Sequence, residues 1–177
     1  VKNYIFVETL GPLIHQYHPR IIVETGTHSG RSGHYMVTEA LKHHPDVEYH
    51  GYDLFDMATD QTHQTEINGK GVGNYDKAQS KFQRVAREHP EFRWTLTRGF
   101  TTESFVTPIR ADLAYIDGGH STETVLHDFS MVRTSGIVVF DDYDMTSVQE
   151  ALRQAGIDQA ITVHRGLKHW QAIWINQ

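Results

Sequence analysis

Arg20-Ile21-Ile22-Val23-Glu24-Thr25-Gly26-Thr27-His28-Ser29-Gly30 is a β-branched run that passes directly into a glycine-punctuated segment. Such a run reads as a buried strand entering a tight turn, and residues 32–42 follow it with a helical pattern. The succession then repeats. Strands are predicted at 48–53, 92–97, 111–116 and 136–140. Helices are predicted at 75–89, where Phe82 and Val85 point inward before Pro90; at 121–133, with Ser121 as N-cap and Val125, Phe129 and Val132 at helical spacing; and at 147–154. Two last strand-like runs, 160–163 and 169–175, are joined by a connection short enough for an antiparallel hairpin. Upstream, residues 4–17 carry apolar side chains at helical spacing, with a kink or split predicted at Gly11-Pro12. Strand and helix in alternation imply a mainly parallel sheet covered on both faces. Sheets of this kind bind ligands at the carboxyl ends of their strands, here after the first, second, fourth and fifth.

Composition narrows what such a sheet can do. With 177 residues, 38% hydrophobic and 21% charged, the chain fits one domain over 1–177, with an N-terminal helix within 1–19. Sixteen Lys and Arg against 22 Asp and Glu leave a formal charge of −6, so no broad positive field exists to collect phosphate backbones and no nucleic-acid partner is expected. The lack of cysteine removes disulfides, zinc-thiolate sites and thiol nucleophiles, which suits the cytoplasm. No apolar run reaches the roughly 20 residues of a membrane helix. The polar, glycine-bearing stretch 54–75 is long for a compact domain and reads as a candidate lid. Of the 13 histidines, the pairs His15/His18 and His43/His44 read as surface.

The chemistry-bearing residues fall at strand ends. Glu24-x-Gly26-x-x-x-Gly30 provides a tight turn, Thr27 within it, and free N–H groups at a helix start that favour a carboxylate, while Glu24 can meet a cationic ligand group. His28 stands where a dinucleotide fingerprint needs its second glycine, which disfavours NAD; a bare strand-to-helix turn is the plain alternative. Asp53 ends the second strand, where a carboxylate can accept hydrogen bonds from a ribose diol or else cap a helix. Asp117 ends the fourth strand, and Asp141 and Asp142 end the fifth. Converging carboxylates repel one another unless a cation intervenes, and all-oxygen ligation suits Mg2+, Ca2+ or Mn2+. Alternatively Asp117 holds ligand alone while Asp141 and Asp142 bond backbone. His120, three residues after Asp117, is either a general base or a structural histidine. Residues 68–73 do not form a phosphate loop, since Gln64 and Gly71 stand at two required positions. Residues 30–33 do not form a nucleophile elbow, because the second glycine comes a residue early.

Taken in order, residues 23–30, Asp53, Ile116-Asp117-Gly118-Gly119-His120-Ser121 and Phe140-Asp141-Asp142-Tyr143 resemble class I S-adenosylmethionine-dependent methyltransferases, the methyltransferase 24 group in particular. The resemblance runs from about residue 20 to the C-terminus. It implies a Rossmann-like α/β fold, a seven-stranded mainly parallel sheet with helices on both faces and the last strand antiparallel. It also implies S-adenosyl-L-methionine as cofactor, bound by Glu24, Gly26, Thr27, Gly30, Asp53 and Asp117. By the same likeness Asp117, Asp141 and Asp142 correspond to metal-binding carboxylates with Mg2+ as the candidate ion, and His120, beside Asp117, to the catalytic base. The expected reaction is O-methylation of a small molecule or sugar hydroxyl. The alternatives are a metal-independent N-methyltransferase and a non-catalytic S-adenosylmethionine-binding protein; a homo-oligomer is left open.

Overall fold

In the central strands, alternate side chains enter opposite layers, as a sheet covered on both faces requires. Ile22, Leu113, Tyr115, Ile137 and Val139 pack on one side, and Val23, Ala114, Ile116, Val138 and Phe140 on the other. The computed structural model describes residues 5–59, 62, 66, 71–166 and 169–176. Along the chain lie α1 (Ile5–Tyr17), β1 (Ile21–Thr25), α2 (Arg31–Ala40), β2 (Glu48–Asp53), a 3-10 turn (Phe55–Met57), α3 (Tyr75–Glu88), β3 (Arg93–Arg98), α4 (Thr101–Ser104), β4 (Leu113–Ile116), α5 (Thr122–Val132), β5 (Ile137–Phe140), α6 (Thr146–Gln154), β6 (Ile161–Arg165) and β7 (Trp170–Ile175). The sheet order is β3-β2-β1-β4-β5-β7-β6. All pairs from β3 through β5 are parallel, and β7 runs antiparallel to both its neighbours. This is the seven-stranded Rossmann-like sheet, with its last strand reversed. The chain winds outward from β1 to β3 and then returns to place β4 on the other side of β1. The resulting switch point, between the carboxyl ends of β1 and β4, is where such sheets bind ligands.

Leu10, Ile14, Met36, Val37 and Phe82 cover one face of the sheet from α1, α2 and α3, while Phe129, Val132, Val148 and Leu152 cover the other from α5 and α6. Side-chain caps set two helix starts. Asn74 accepts from the Lys77 amide at 2.8 Å and Ser121 from the Thr124 amide at 3.2 Å.

Helix α1 departs from the expectation: it continues through Pro12 without splitting. Pro12 is exposed, so the carbonyl that loses its partner can be hydrated. Gly11 lets α1 settle on α2, since a Cβ there would stand 2.5 Å from the Tyr35 hydroxyl. The candidate lid is described at 54–59, 62, 66 and 71–75; its remaining residues lie outside the described ones. Among the described residues no helix is long and apolar enough to cross a membrane.

Candidate active site

The switch point is closed by backbone. Gly26 has φ +85°, and a Cβ on it would lie 1.8 Å from the Asp117 carbonyl oxygen. Glycine is therefore demanded by the close approach of the segments that follow β1 and β4, before any ligand is considered. The amides of Gly26 and Thr27 then donate to the Tyr52 carbonyl at 2.8 and 3.3 Å, which ties the turn to β2. Asp53, at the end of β2, accepts from the His28 amide at 2.7 Å and the Phe55 amide at 2.5 Å. His28 and Phe55 are both left-handed, at φ 51° and 48°. Such strain costs of order 1–3 kcal/mol per residue and persists where surrounding structure enforces it. Here it holds one carboxylate in place, with lone pairs still free to accept. Burial raises the Asp53 pKa, opposed by these two amides.

A cavity of about 180 Å3 opens beside this carboxylate. Its walls are Gly26 and His28 after β1, Asp53 to Phe55 after β2, Gly99 to Thr101 after β3, and Asp117 to His120 after β4. Gly71 to Gly73 line it as well: the Gly71 carbonyl lies 3.0 Å from His28 Nε2, and the Asn74 amide donates to the His28 carbonyl at 3.2 Å. The contribution after β3 was not foreseen. Short α4 was missed as well, since four residues carry no readable periodicity.

Of the predicted carboxylates, the fold brings Asp117 and Asp142 together with His120; each offers a ligand atom within 4.8 Å of the others. His120 is buried, and its Nε2 lies 2.8 Å from Asp142 Oδ2 without the alignment of a hydrogen bond. Asp142 Oδ1 lies 3.1 Å from Nδ1 of His169, on the β6–β7 connection. Asp141 does not join this group. Asp141 instead accepts from Gln171 Nε2 at 2.8 Å. Gln171 is fully buried on β7 and also donates to the Tyr115 hydroxyl at 3.1 Å. Asp142, just past β5, is buried and has a left-handed backbone, φ 50°. Nothing in local sequence distinguishes Asp141 from Asp142, so this division of roles depends on β7.

Glu24, Thr27 and Gly30 are not on the cavity wall. Glu24 is fully buried beneath the turn, accepting hydrogen bonds from Ser32 and Tyr49, while Thr27 Oγ1 lies 3.2 Å from the Tyr49 hydroxyl. Gly30 opens α2 at φ 69°, and its missing Cβ leaves room for Ala78 and Phe82 of α3. Burial pushes the Glu24 carboxyl from 4.5 up to about 7, against the opposing hydrogen bonds from Ser32 and Tyr49. A carboxyl raised on folding binds more protons in the folded than in the unfolded state. Unfolding free energy should thus fall as pH climbs from about 4.5 to about 7, by roughly 3 kcal/mol at most, and level off above. Buried Asp128, raised to about 6, adds a slope of the same sign at lower pH. Glu24→Gln is expected to flatten the upper part of this slope, as read by urea unfolding across pH 4–8; an unchanged slope would refute the assignment.

Residues 23–143 match the family model described as a methyltransferase domain, methyltransferase 24. The chain belongs to this family and is a class I S-adenosylmethionine-dependent methyltransferase. No curated protein matches its sequence. Among solved structures it is similar to a Klebsiella pneumoniae protein described as an O-methyltransferase, at 18% identity and TM-score 0.65, covering all of this chain and 82% of that one. It is also similar to the calicheamicin methyltransferase CalS11, at 20% identity and TM-score 0.65, over 96% of this chain and 77% of that one. A third is the O-methyltransferase TomG of Streptomyces achromogenes, involved in tomaymycin synthesis and solved with S-adenosylmethionine, at 14% identity and TM-score 0.61, over 100% and 82% of the two chains. At these identities the likeness is one of fold.

Proposed function

We propose that the protein transfers a methyl group from S-adenosylmethionine to a hydroxyl of a small molecule, with the cofactor in the cavity beside Asp53 and the acceptor near His120. The observation that carries this reading is the buried pair His120 and Asp142, adjoining the cavity's Asp117 edge. Bound S-adenosylmethionine supplies an activated sulfonium methyl. Asp53 would accept the ribose hydroxyls, and the backbone around Gly26 would shape the wall beside the methionine part. In the displacement the acceptor oxygen bonds the methyl carbon while the carbon–sulfur bond breaks, leaving neutral S-adenosylhomocysteine. The hydroxyl proton passes to Nδ1 of His120, which has no hydrogen-bond partner among the described residues; Asp142 then balances the imidazolium charge at Nε2. Positioning and exclusion of water supply the rest.

A second reading is favoured by one specific observation, the convergence of Asp117, His120 and Asp142. A buried imidazole with orphaned nitrogens, close to two carboxylates, fits a divalent cation. Such an ion would add Lewis-acid activation of the acceptor oxygen. His120 would then be a ligand and the base would lie elsewhere; Asp141, sequestered by Gln171, would not take part. The deciding experiment measures S-adenosylhomocysteine release over a panel of phenolic, catechol and sugar acceptors, with excess chelator and with added Mg2+ or Mn2+. Turnover unchanged by chelator supports the His120 base. Loss restored by the cation supports the metal-assisted form, and release with amine acceptors alone would overturn O-methylation.

A further inference from the structure

The histidine pairs that sequence places on the surface, His15/His18 and His43/His44, are brought together by the fold. His15 and His18 lie at the end of α1, and His43 and His44 in the connection from α2 to β2. Both segments lead into the amino-terminal ends of strands, so the cluster sits at the sheet edge opposite the cavity. Nδ1 of His15 is 3.2 Å from Nε2 of His43. The His18 ring stacks on His43 with centroids 4.0 Å apart and planes at 22°, and His44 meets His18 edge-on at 6.2 Å. His18 holds a left-handed backbone, φ 48°, the one non-glycine example among the described residues away from the cavity and the Asp142 cluster.

We propose that this cluster is a binding site for a zinc-class transition-metal dication, chelated by His15 and His43 and completed by His18, which clamps the end of α1 to the α2–β2 connection. Two nitrogens bound to one tetrahedral ion at 2.0–2.1 Å lie about 3.3 Å apart, close to the separation already present. Without metal the same separation accommodates a shared N–H···N hydrogen bond, whose proton the ion displaces. The exposed His18 ring needs only a side-chain rotation, a fast motion at a surface, to leave its stack and offer a nitrogen. All-imidazole ligation selects Zn2+, Ni2+ or Cu2+ over Mg2+. The site is independent of the methyl-transfer chemistry.

The test separates this cluster from the one around Asp142. Chelator-stripped His120→Ala/Asp142→Asn protein is titrated with ZnCl2 by calorimetry and followed by thermal unfolding. One Zn2+ per chain is expected, with a rise in Tm of about 5–10 °C at a hundredfold excess over Kd, and no rise with MgCl2. Adding His15→Gln and His43→Gln should weaken binding at least tenfold and abolish the rise. The same comparison in the otherwise unchanged protein, where Zn2+ stoichiometry should fall by one, covers the case in which the active-site variant does not fold. Absence of Zn2+ binding, equal stabilisation by Mg2+, or binding that survives loss of His15 and His43 would overturn the proposal.

Discussion

His120→Ala is expected to lower methyl transfer by about 10²-fold or more while leaving the affinity for S-adenosylhomocysteine within about twofold. The separation follows from geometry. His120 stands with Asp117 and Asp142 at the ends of β4 and β5, whereas the carboxylate assigned to the ribose, Asp53, is on β2, fixed by His28 and Phe55. Asp142→Asn should lower turnover in the same direction, since it removes the charge 2.8 Å from Nε2. Asp141→Asn should act differently. Its carboxylate ties β5 to Gln171 of β7, so its loss should appear in thermal stability more than in turnover. Steady-state rates and calorimetry on the three variants check this. Equal loss of cofactor affinity in His120→Ala would place the histidine in the cofactor site.

Gly26→Ala carries the largest expected effect on the fold. The added Cβ would stand 1.8 Å from the Asp117 carbonyl oxygen and 2.8 Å from the Gly118 amide nitrogen, at φ +85°. All of these are backbone constraints, so no side-chain rotation relieves them. The segments that follow β1 and β4 have to separate or the turn has to change hand, and a loss exceeding about 4 kcal/mol is expected, consistent with outright failure to fold. Gly71→Ala is the control: nothing lies within 4 Å of a Cβ built there, and its stability should stay within about 0.5 kcal/mol of the parent. Urea unfolding monitored by circular dichroism gives both values, and a Gly26→Ala protein of parental stability would contradict the described turn.

The sheet was legible because two of its central strands, β1 and β5, are β-branched runs, and the strand-helix alternation leaves few topologies. Asp53, Asp117 and His120, which stand at or just past the ends of predicted strands, do fall on the cavity wall. Position at a strand end does not reveal where a side chain turns. Glu24 looked available to a ligand, yet its carboxylate goes under the turn to Ser32 and Tyr49, a destination fixed by a residue on β2. Asp141 and Asp142 were indistinguishable as neighbours, and a buried glutamine on the last strand separates them. Pro12 and Gly11 predicted a break in α1, but a proline on the exposed side and a tyrosine hydroxyl from α2 allow the helix to continue. Each of these outcomes depends on a contact distant in sequence.

The account rests on a cofactor site between Asp53 and Asp117, and titration calorimetry with S-adenosylhomocysteine on the parent protein and on Asp53→Ala tests it most directly. One saturable site in the micromolar range is predicted, weakened at least tenfold by the substitution, as the loss of charge-assisted hydrogen bonds of roughly 1.5–3 kcal/mol implies. A parent protein that takes up no S-adenosylhomocysteine, or an Asp53→Ala variant that binds it as tightly as the parent, would contradict it.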